Sequence, residues 1–285
     1  MIASGAVSTS PSFREARIAA VRRSPDLADA HDRAGWLGLY AGDAIVEDPV
    51  GTPPARRGVF TRRGGEDDLE LFYRVFIAPT SLRAEAKRDL VVGDTVMREV
   101  VLHVRLSGGA RAAIPAFLEY DLVPLGDGFR VRHLRAYWDA PRNGREVVSQ
   151  GVRGKLTSVL SGLRLLRHFG RGWTGKYLAG TKRGIRRDGA PRVAALQKAI
   201  AAGDPGGFEG LASPGATVTL PGAAPTPLRE LSPSLELAFD APICSGFHAV
   251  GACRARVDGR DVSGFAVVSF DETSKLVTSL RLLWE

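Results

Sequence analysis

Apolar residues recur at helical spacing through Ile18, Ala19 and Val21, and again through Ala34, Leu37 and Leu39, which predicts two N-terminal helices within residues 11–41. Ser12 and Asp29 are the expected N-caps, and Pro25 the expected break between the helices. A short strand over Ala44–Glu47 runs into the turn residues Asp48-Pro49-Val50-Gly51, and a Pro/Arg/Gly-rich loop follows from Thr52 to Gly65. Asp67 and Asp68 charge the first turn of a third helix that reaches Ile77, with Pro79 ending it. Four strand-like stretches then span residues 81–90, 95–106, 111–123 and 129–138, broken by Gly93-Asp94, Gly108-Gly109 and Gly126-Asp127-Gly128.

The plan repeats in shortened form. Leu134, Arg135, Trp138 and Asp139 coincide with Leu280, Arg281, Trp284 and Glu285, and Ala44–Pro49 lies over Ala216–Pro221 behind a helix at Pro191–Ala202. The second copy has little room for the third helix, and Leu220 stands where the first has Asp48. The expectation is an α+β chain: a pocket-bearing unit at 11–140, a connector at 141–189, and a degenerate copy at 190–285 that serves as a built-in partner, a pseudo-dimer within one chain. In each unit helices pack on a curved antiparallel sheet.

In the connector, Val148, Val152, Leu156, Val159, Leu163 and Leu166 recur every three or four residues, predicting an amphipathic helix over Val147–Phe169. Gly170, Gly172, Gly175, Gly180 and Gly184 predict irregular chain after it. The charge balance changes how this segment reads. The chain holds 39 Lys+Arg and 31 Asp+Glu, a net of +8 over 285 residues; Arg142–Arg187 carry 12 of the bases and a single acid, Glu146. The remaining 27 basic and 30 acidic residues net −3, so the folded copies are mildly acidic. Such a segment either packs its apolar stripe on the domains and leaves its arginines in water, the preferred expectation, or lies on an anionic membrane surface through residues 147–187. Nucleic acid is not expected, since Phe169, Trp173 and Tyr177 are too few and too scattered for a stacking platform.

An apolar share of 44% is that of a globular protein. Met1–Ser10 has neither the basic start nor the apolar core of a signal peptide, and a cytoplasmic protein is expected. Cys244 and Cys253 are too few for a disulfide framework. His31, His103, His133, His168 and His248 form no cluster at ligand spacing, so neither a metal nor another cofactor is expected. His133 and Arg135 alternate with Leu134 and Ala136 as an outward polar row, and Glu47 points away from the face of Asp48.

The stretch Trp36-Leu-Gly-Leu-Tyr-Ala-Gly-Asp-Ala-Ile-Val-Glu-Asp-Pro-Val-Gly51, with Leu71-Phe-Tyr73 after it, resembles the ketosteroid isomerases of the nuclear transport factor 2-like (SnoaL-like) superfamily over residues 14–139, with a weaker echo from Pro191 to Glu285. The resemblance implies that Asp48 is the general base that moves a proton alpha to a carbonyl; the chemistry of that family is a standard example of tuned carboxylates. From the residues alone, a carboxylate between an apolar strand and a proline is either a turn cap or a partly desolvated proton shuttle. The same alignment puts Arg17 and Phe117 where the family has its two oxyanion donors, a tyrosine and a protonated aspartic acid, which implies that both donors are replaced.

Tyr73 falls where the family has a supporting tyrosine and Trp138 where an aromatic lines the substrate site; both serve equally well as packed core. Trp36 belongs to the same expected pocket, and Glu119, two residues beyond Phe117 on one strand face, is a candidate second acid whose default is a solvated strand end. The expectation is isomerisation of an apolar steroid- or polyketide-like ligand with Asp48 as base; the alternatives are a non-catalytic binding or accessory protein of the same fold, or a SnoaL-like cyclase or hydratase.

Overall fold

The computed structural model describes residues 11–60, 65–126, 128–203, 205–231, 236–257 and 259–285. The chain divides into two compact units, one made of Ser10–Asp89 with Asp94–Lys182, the other of Arg183–Glu285 with Leu90–Gly93.

The first unit opens with α1 (Pro11–Asp29), a single helix that runs through Pro25. A proline removes one ladder hydrogen bond, but Ile18, Val21 and Ala28 are buried on either side of it, and this packing carries the helix through. The break falls instead at His31, whose φ is 54°. Asp32, rather than Asp29, then caps α2 (Arg33–Gly38) by accepting a 2.8 Å hydrogen bond from Gly35 N. β1 (Tyr40–Glu47) leads through Asp48 to the two-residue β2 (Ala55–Arg56). α3 (Asp68–Phe72) starts in a capping box: Asp67 accepts from Glu70 N at 2.8 Å while Glu70 accepts from Asp67 N at 3.0 Å. It continues as a π-helical turn, Tyr73–Ile77.

β3 (Ser81–Val92), β4 (Thr95–Arg105), β5 (Arg111–Leu125) and β6 (Gly128–Tyr137) follow, and the sheet order is β2-β1-β6-β5-β4-β3. β1 and β6 are parallel, while β1–β2, β4–β5 and β5–β6 are antiparallel.

Residues beyond 140 do not stand apart from this unit. α4 (Ala140–Val148) begins at Asp139, which accepts from Arg142 N at 2.9 Å. α5 (Val152–Gly180) is helical well past Gly170, where irregular chain is expected from the glycines. Gly170 itself sits at φ 73°, ψ 176° and kinks the helix, a conformation reserved for glycine. Phe169, Trp173 and Tyr177 stack in sequence across the kink, with ring centroids 3.8 Å and 5.3 Å apart, and Phe76 of the π-helical turn lies 5.3 Å from Tyr177. At the end of α5 the backbone of Gly180 backs onto the loop after Asp48: a Cβ there would lie 2.5 Å from Gly51 O.

α5 therefore packs, but through the face opposite to the expected one. Gly154, Thr157, Leu165, Phe169 and Thr174 are buried, while Val152, Leu156, Val159, Leu163 and Leu166 are all exposed; Val148, also exposed, ends α4, because the helix expected from Val147 is interrupted before Gly151 at φ 69°. Small side chains and an aromatic cluster allow closer approach to the unit than a row of Leu and Val does.

The second unit contains α6 (Gly189–Ala202), β7 (Ala212–Thr219), β8 (Thr226–Pro227), β9 (Glu236–Phe239), β10 (Ile243–Ser245), β11 (His248–Val257), β12 (Arg260–Phe270) and β13 (Val277–Trp284). Its sheet runs β10-β11-β12-β13-β7-β8, with β9 also on β11. The first and last long strands are again parallel, and the register repeats. Tyr40, Ile45, Val46 and Glu47 pair with Val131, His133, Leu134 and Arg135 across a bulge; Ala212, Thr217, Val218 and Thr219 pair with Val277, Ser279, Leu280 and Arg281 across another. β1 and β7 even share one alternation of buried and exposed positions. Tyr40 thus answers to Ala212 and Val131 to Val277, and the second of these intervals is the shorter, so the second copy has lost chain between its first and last long strands.

Candidate active site

The helices and the inner sheet face of the first unit enclose a cavity of about 570 Å³, within the size range of small-molecule sites. Its walls are apolar: Phe72 and Phe76 from the third helix, Leu118 and Leu134 from the sheet, and Leu165 from α5. Ala112 and Tyr120 both line it from β5. The stretch of strand between them measures about 26 Å along the chain at about 3.3 Å per residue, so the lining follows much of β5.

Asp48 stands in this wall at the end of β1. Its Oδ1 accepts a 2.6 Å hydrogen bond from Trp138 Nε1, which also lines the cavity. Asp48 is half-buried and lines the cavity. Burial raises its carboxyl from an ordinary 3.8 to about 6, with the Trp138 indole opposing the rise. A group so poised is half ionised near pH 6 and accepts a proton readily at neutral pH.

Three phenols line the same cavity and feel the charge of this carboxylate. Burial, the neighbouring Tyr120 and the Asp48 charge push Tyr40 well above its ordinary value. Burial likewise raises Tyr120, against the pull of Arg98, and raises Tyr177, to which the Asp48 charge adds. All three therefore keep their protons at neutral pH and remain O–H donors. The Tyr40 hydroxyl comes close to Ser24 yet, among the described residues, meets no partner in hydrogen-bonding geometry. Under the β4–β5 turn, the buried Thr157 Oγ1 also lacks a partner among the described residues.

Of the residues expected at the site, Asp48, Trp138 and Trp36 line the cavity. Tyr73 does not; it is buried behind Trp36, with ring centroids 5.5 Å apart. Phe117 and Glu119 belong to the opposite face of β5, because the residues that reach the cavity are Leu118 and Tyr120, one position out of step with them. Glu119 is fully buried and joins a polar network there: Arg135 Nη1 donates to it at 3.0 Å and to Asp121 at 2.8 Å, and Tyr137 Oη donates to it at 3.0 Å. Glu47 and His133, 2.8 Å apart, extend this network, so the row is polar but not a solvated edge. Arg17 is also turned away from the cavity: its guanidinium lies over the Phe13 and Phe129 rings and pairs with Asp94 at 2.5 Å.

Tyr40, Tyr120 and Tyr177 escape the reading of motifs. Tyr40 lies at the start of the strand that ends at Asp48, and Tyr120 next to Glu119. Parity with Asp48 points to the first; nothing local points to Tyr177, which a distant helix brings in. Among the described residues no group of three His, Cys, Asp or Glu side chains comes together as a metal site.

No protein-family model and no curated protein matches the chain. Solved structures do. The chain is similar to the Delta 5-3-ketosteroid isomerase from Mycobacterium sp., at 27% identity over 42% of this chain and 91% of that one (TM-score 0.34). It is similar to RV0760c from Mycobacterium tuberculosis, solved in complex with estradiol-17beta-hemisuccinate, at 26% identity over 43% and 92% (TM-score 0.35). An M. tuberculosis LEH-like epoxide hydrolase matches at 18% identity over 51% and 96% (TM-score 0.38).

Proposed function

We propose that the first unit performs a ketosteroid-isomerase-like proton transfer on an apolar carbonyl compound. The observation that carries this reading is the Asp48 carboxylate: set in an apolar wall, held by one indole N–H, and raised to about 6. Ionised, it takes the proton from the carbon alpha to the carbonyl; the electrons shift onto the carbonyl oxygen as a dienolate. The Asp48 carboxylic acid then returns the same proton to the far end of the conjugated system, and no co-reactant is consumed. The dienolate oxygen needs donors. Tyr40 and Tyr120, protonated phenols within electrostatic reach of Asp48, fill the part for which Arg17 and Phe117 are turned the wrong way. The Thr157 hydroxyl, which also lines the cavity, offers a partner to a second oxygen of the ligand.

The test is turnover of Δ5-3-ketones, read as growth of conjugated-enone absorbance, with ligand affinity measured in parallel. Asp48→Asn abolishes turnover and leaves affinity unchanged under this reading. Affinity without turnover in the wild type, or equal slow rates in the two proteins, removes the isomerase reading and leaves a binding protein. The second unit, with Leu220 in place of Asp48, takes no part in the proton transfer under the same proposal.

A further inference from the structure

The expected apolar stripe of the connector is exposed, and it lies on the far side of the helix that roofs the cavity. Val152 is 83% exposed, Val159 and Leu163 58% each, and Leu156 and Leu166 nearly half. At 100° per residue these five side chains fall within a sector of about 80° along α5. The opposite face carries Thr157, Ser158, Ser161 and Leu165, all of which line the cavity. The helix thus carries apolar residues on both sides: Leu165 and Phe169 pack inward among small polar side chains, while the regular row of Val and Leu turns outward, where a helix packed on a domain is polar.

Charge identifies what this face meets. Lys155 and Arg167 border the stripe at about 60° on either side of its centre, with Arg153 further round on the Arg167 side and Arg171 beyond the kink; Arg164 instead turns inward, donating to Ser107 Oγ at 2.8 Å and to the Val75 carbonyl. Lys155, Arg153, Arg167 and Arg171 are exposed. α5 itself carries six bases, Arg153, Lys155, Arg164, Arg167, Arg171 and Lys176, and no acid. A second protein surface would need a matching acidic rim around an apolar groove. An anionic bilayer offers both at once, apolar chains beneath and negative headgroups beside them. Among the described residues no helix is long and apolar enough to cross a membrane, so the contact is one of lying on the surface. The segment that carries the stripe is bracketed by two glycines in conformations outside the helical region, Gly151 at φ 69° and Gly170 at φ 73°.

We propose that Val152–Phe169 docks on an anionic lipid surface, seating Val152, Leu156, Val159, Leu163 and Leu166 among the acyl chains and the flanking lysine and arginines among the headgroups. One helix thickness, about 10 Å, then separates the lipid from the cavity, which gives an apolar ligand a short route between them; that consequence rests on the reading of the cavity as a ligand site, whereas the docking does not.

The experiment is flotation of the full-length chain with vesicles of phosphatidylcholine alone and of phosphatidylcholine with phosphatidylglycerol, at a composition of about one anionic lipid in three. Wild type and Asp48→Asn float equally with the anionic vesicles and poorly with the neutral ones, and added salt at about 0.5 M, which shortens the screening length to about 4 Å, weakens the binding. Val159→Glu with Leu163→Glu, both at exposed sites, lowers binding more than about tenfold with an unchanged circular dichroism spectrum. Lys155→Glu with Arg167→Glu lowers it by about fivefold or more per charge on anionic vesicles alone. A wild type that stays in the dense fraction with anionic vesicles overturns the proposal. So does a dimer in sedimentation velocity that the Val159→Glu, Leu163→Glu chain fails to form, since a second copy would then be the occupant.

Discussion

Replacing Asp48 with Asn changes stability in a way that depends on pH, and the dependence tests the environment of the carboxylate separately from any catalysis. In the folded protein Asp48 holds its proton up to about pH 6, whereas in the unfolded chain it releases it near 3.8. Between these values the folded state binds more protons than the unfolded one, so stability falls as pH rises through the window. Above pH 6 the whole difference of about two units counts against folding, up to about 3 kcal/mol at about 1.36 kcal/mol per unit; water admitted to the cavity reduces it. Asn has the same shape, keeps an oxygen for the Trp138 indole and cannot ionise. The Asp48→Asn chain is therefore equal in stability to wild type below pH 4 and more stable by about 1–3 kcal/mol at pH 7.5. Urea unfolding at both pH values, followed by tryptophan fluorescence, measures the difference; Trp36, Trp138 and Trp173 report on the first unit. A difference that does not vary with pH, or a variant weaker than wild type at pH 7.5, would mean that the carboxylate is not desolvated.

The rate of proton abstraction falls as pH drops through about 6, where Asp48 takes up its proton, and Trp138→Phe, which removes the N–H that favours the carboxylate, moves this acid limb of the kcat/KM profile upward by about one unit. An unmoved limb would separate Asp48 from the titration. Glu119→Ala removes the buried acceptor shared by Arg135 and Tyr137 and costs about 2–4 kcal/mol in chemical denaturation, with turnover per folded molecule unchanged; a fall in turnover without loss of stability would return Glu119 to the site. Gly180→Ala drives a methyl group against the Gly51 carbonyl and the Thr52 backbone, costs about 1–3 kcal/mol, and slows turnover because Gly51 lies in the turn that follows Asp48; a thermal midpoint equal to wild type would refute the close approach.

The strands and the repeat are legible in the sequence because Gly-Asp and Gly-Gly turns punctuate regular alternation, and because each copy checks the other: the Leu134/Leu280 and Ala44/Ala216 matches are those of the strand registers. Asp48 is legible for the same reason, since a short strand and a proline mark its place. Two choices of side are not. Phe117, Leu118, Glu119 and Tyr120 are all buried, so β5 is enclosed on both faces and its alternation does not say which face meets the cavity. On α5 the period groups Val152, Leu156, Val159, Leu163 and Leu166 correctly on one face, but periodicity cannot tell whether that face turns toward protein or away from it. The helical run beyond Gly170 is hidden by its glycines and held by the contacts of Phe169, Trp173 and Tyr177, which are tertiary.

The shortened second copy is a natural deletion experiment. It has shed part of the chain between its first and last long strands, along with the carboxylate, and still closes the same parallel pair with the same interruption in register. The pairing of the first and last long strands is thus independent of the carboxylate and of the chain length between them. The loop and third helix can therefore be reshaped with the scaffold intact, much as a workshop changes the jaws of a vice and keeps its frame.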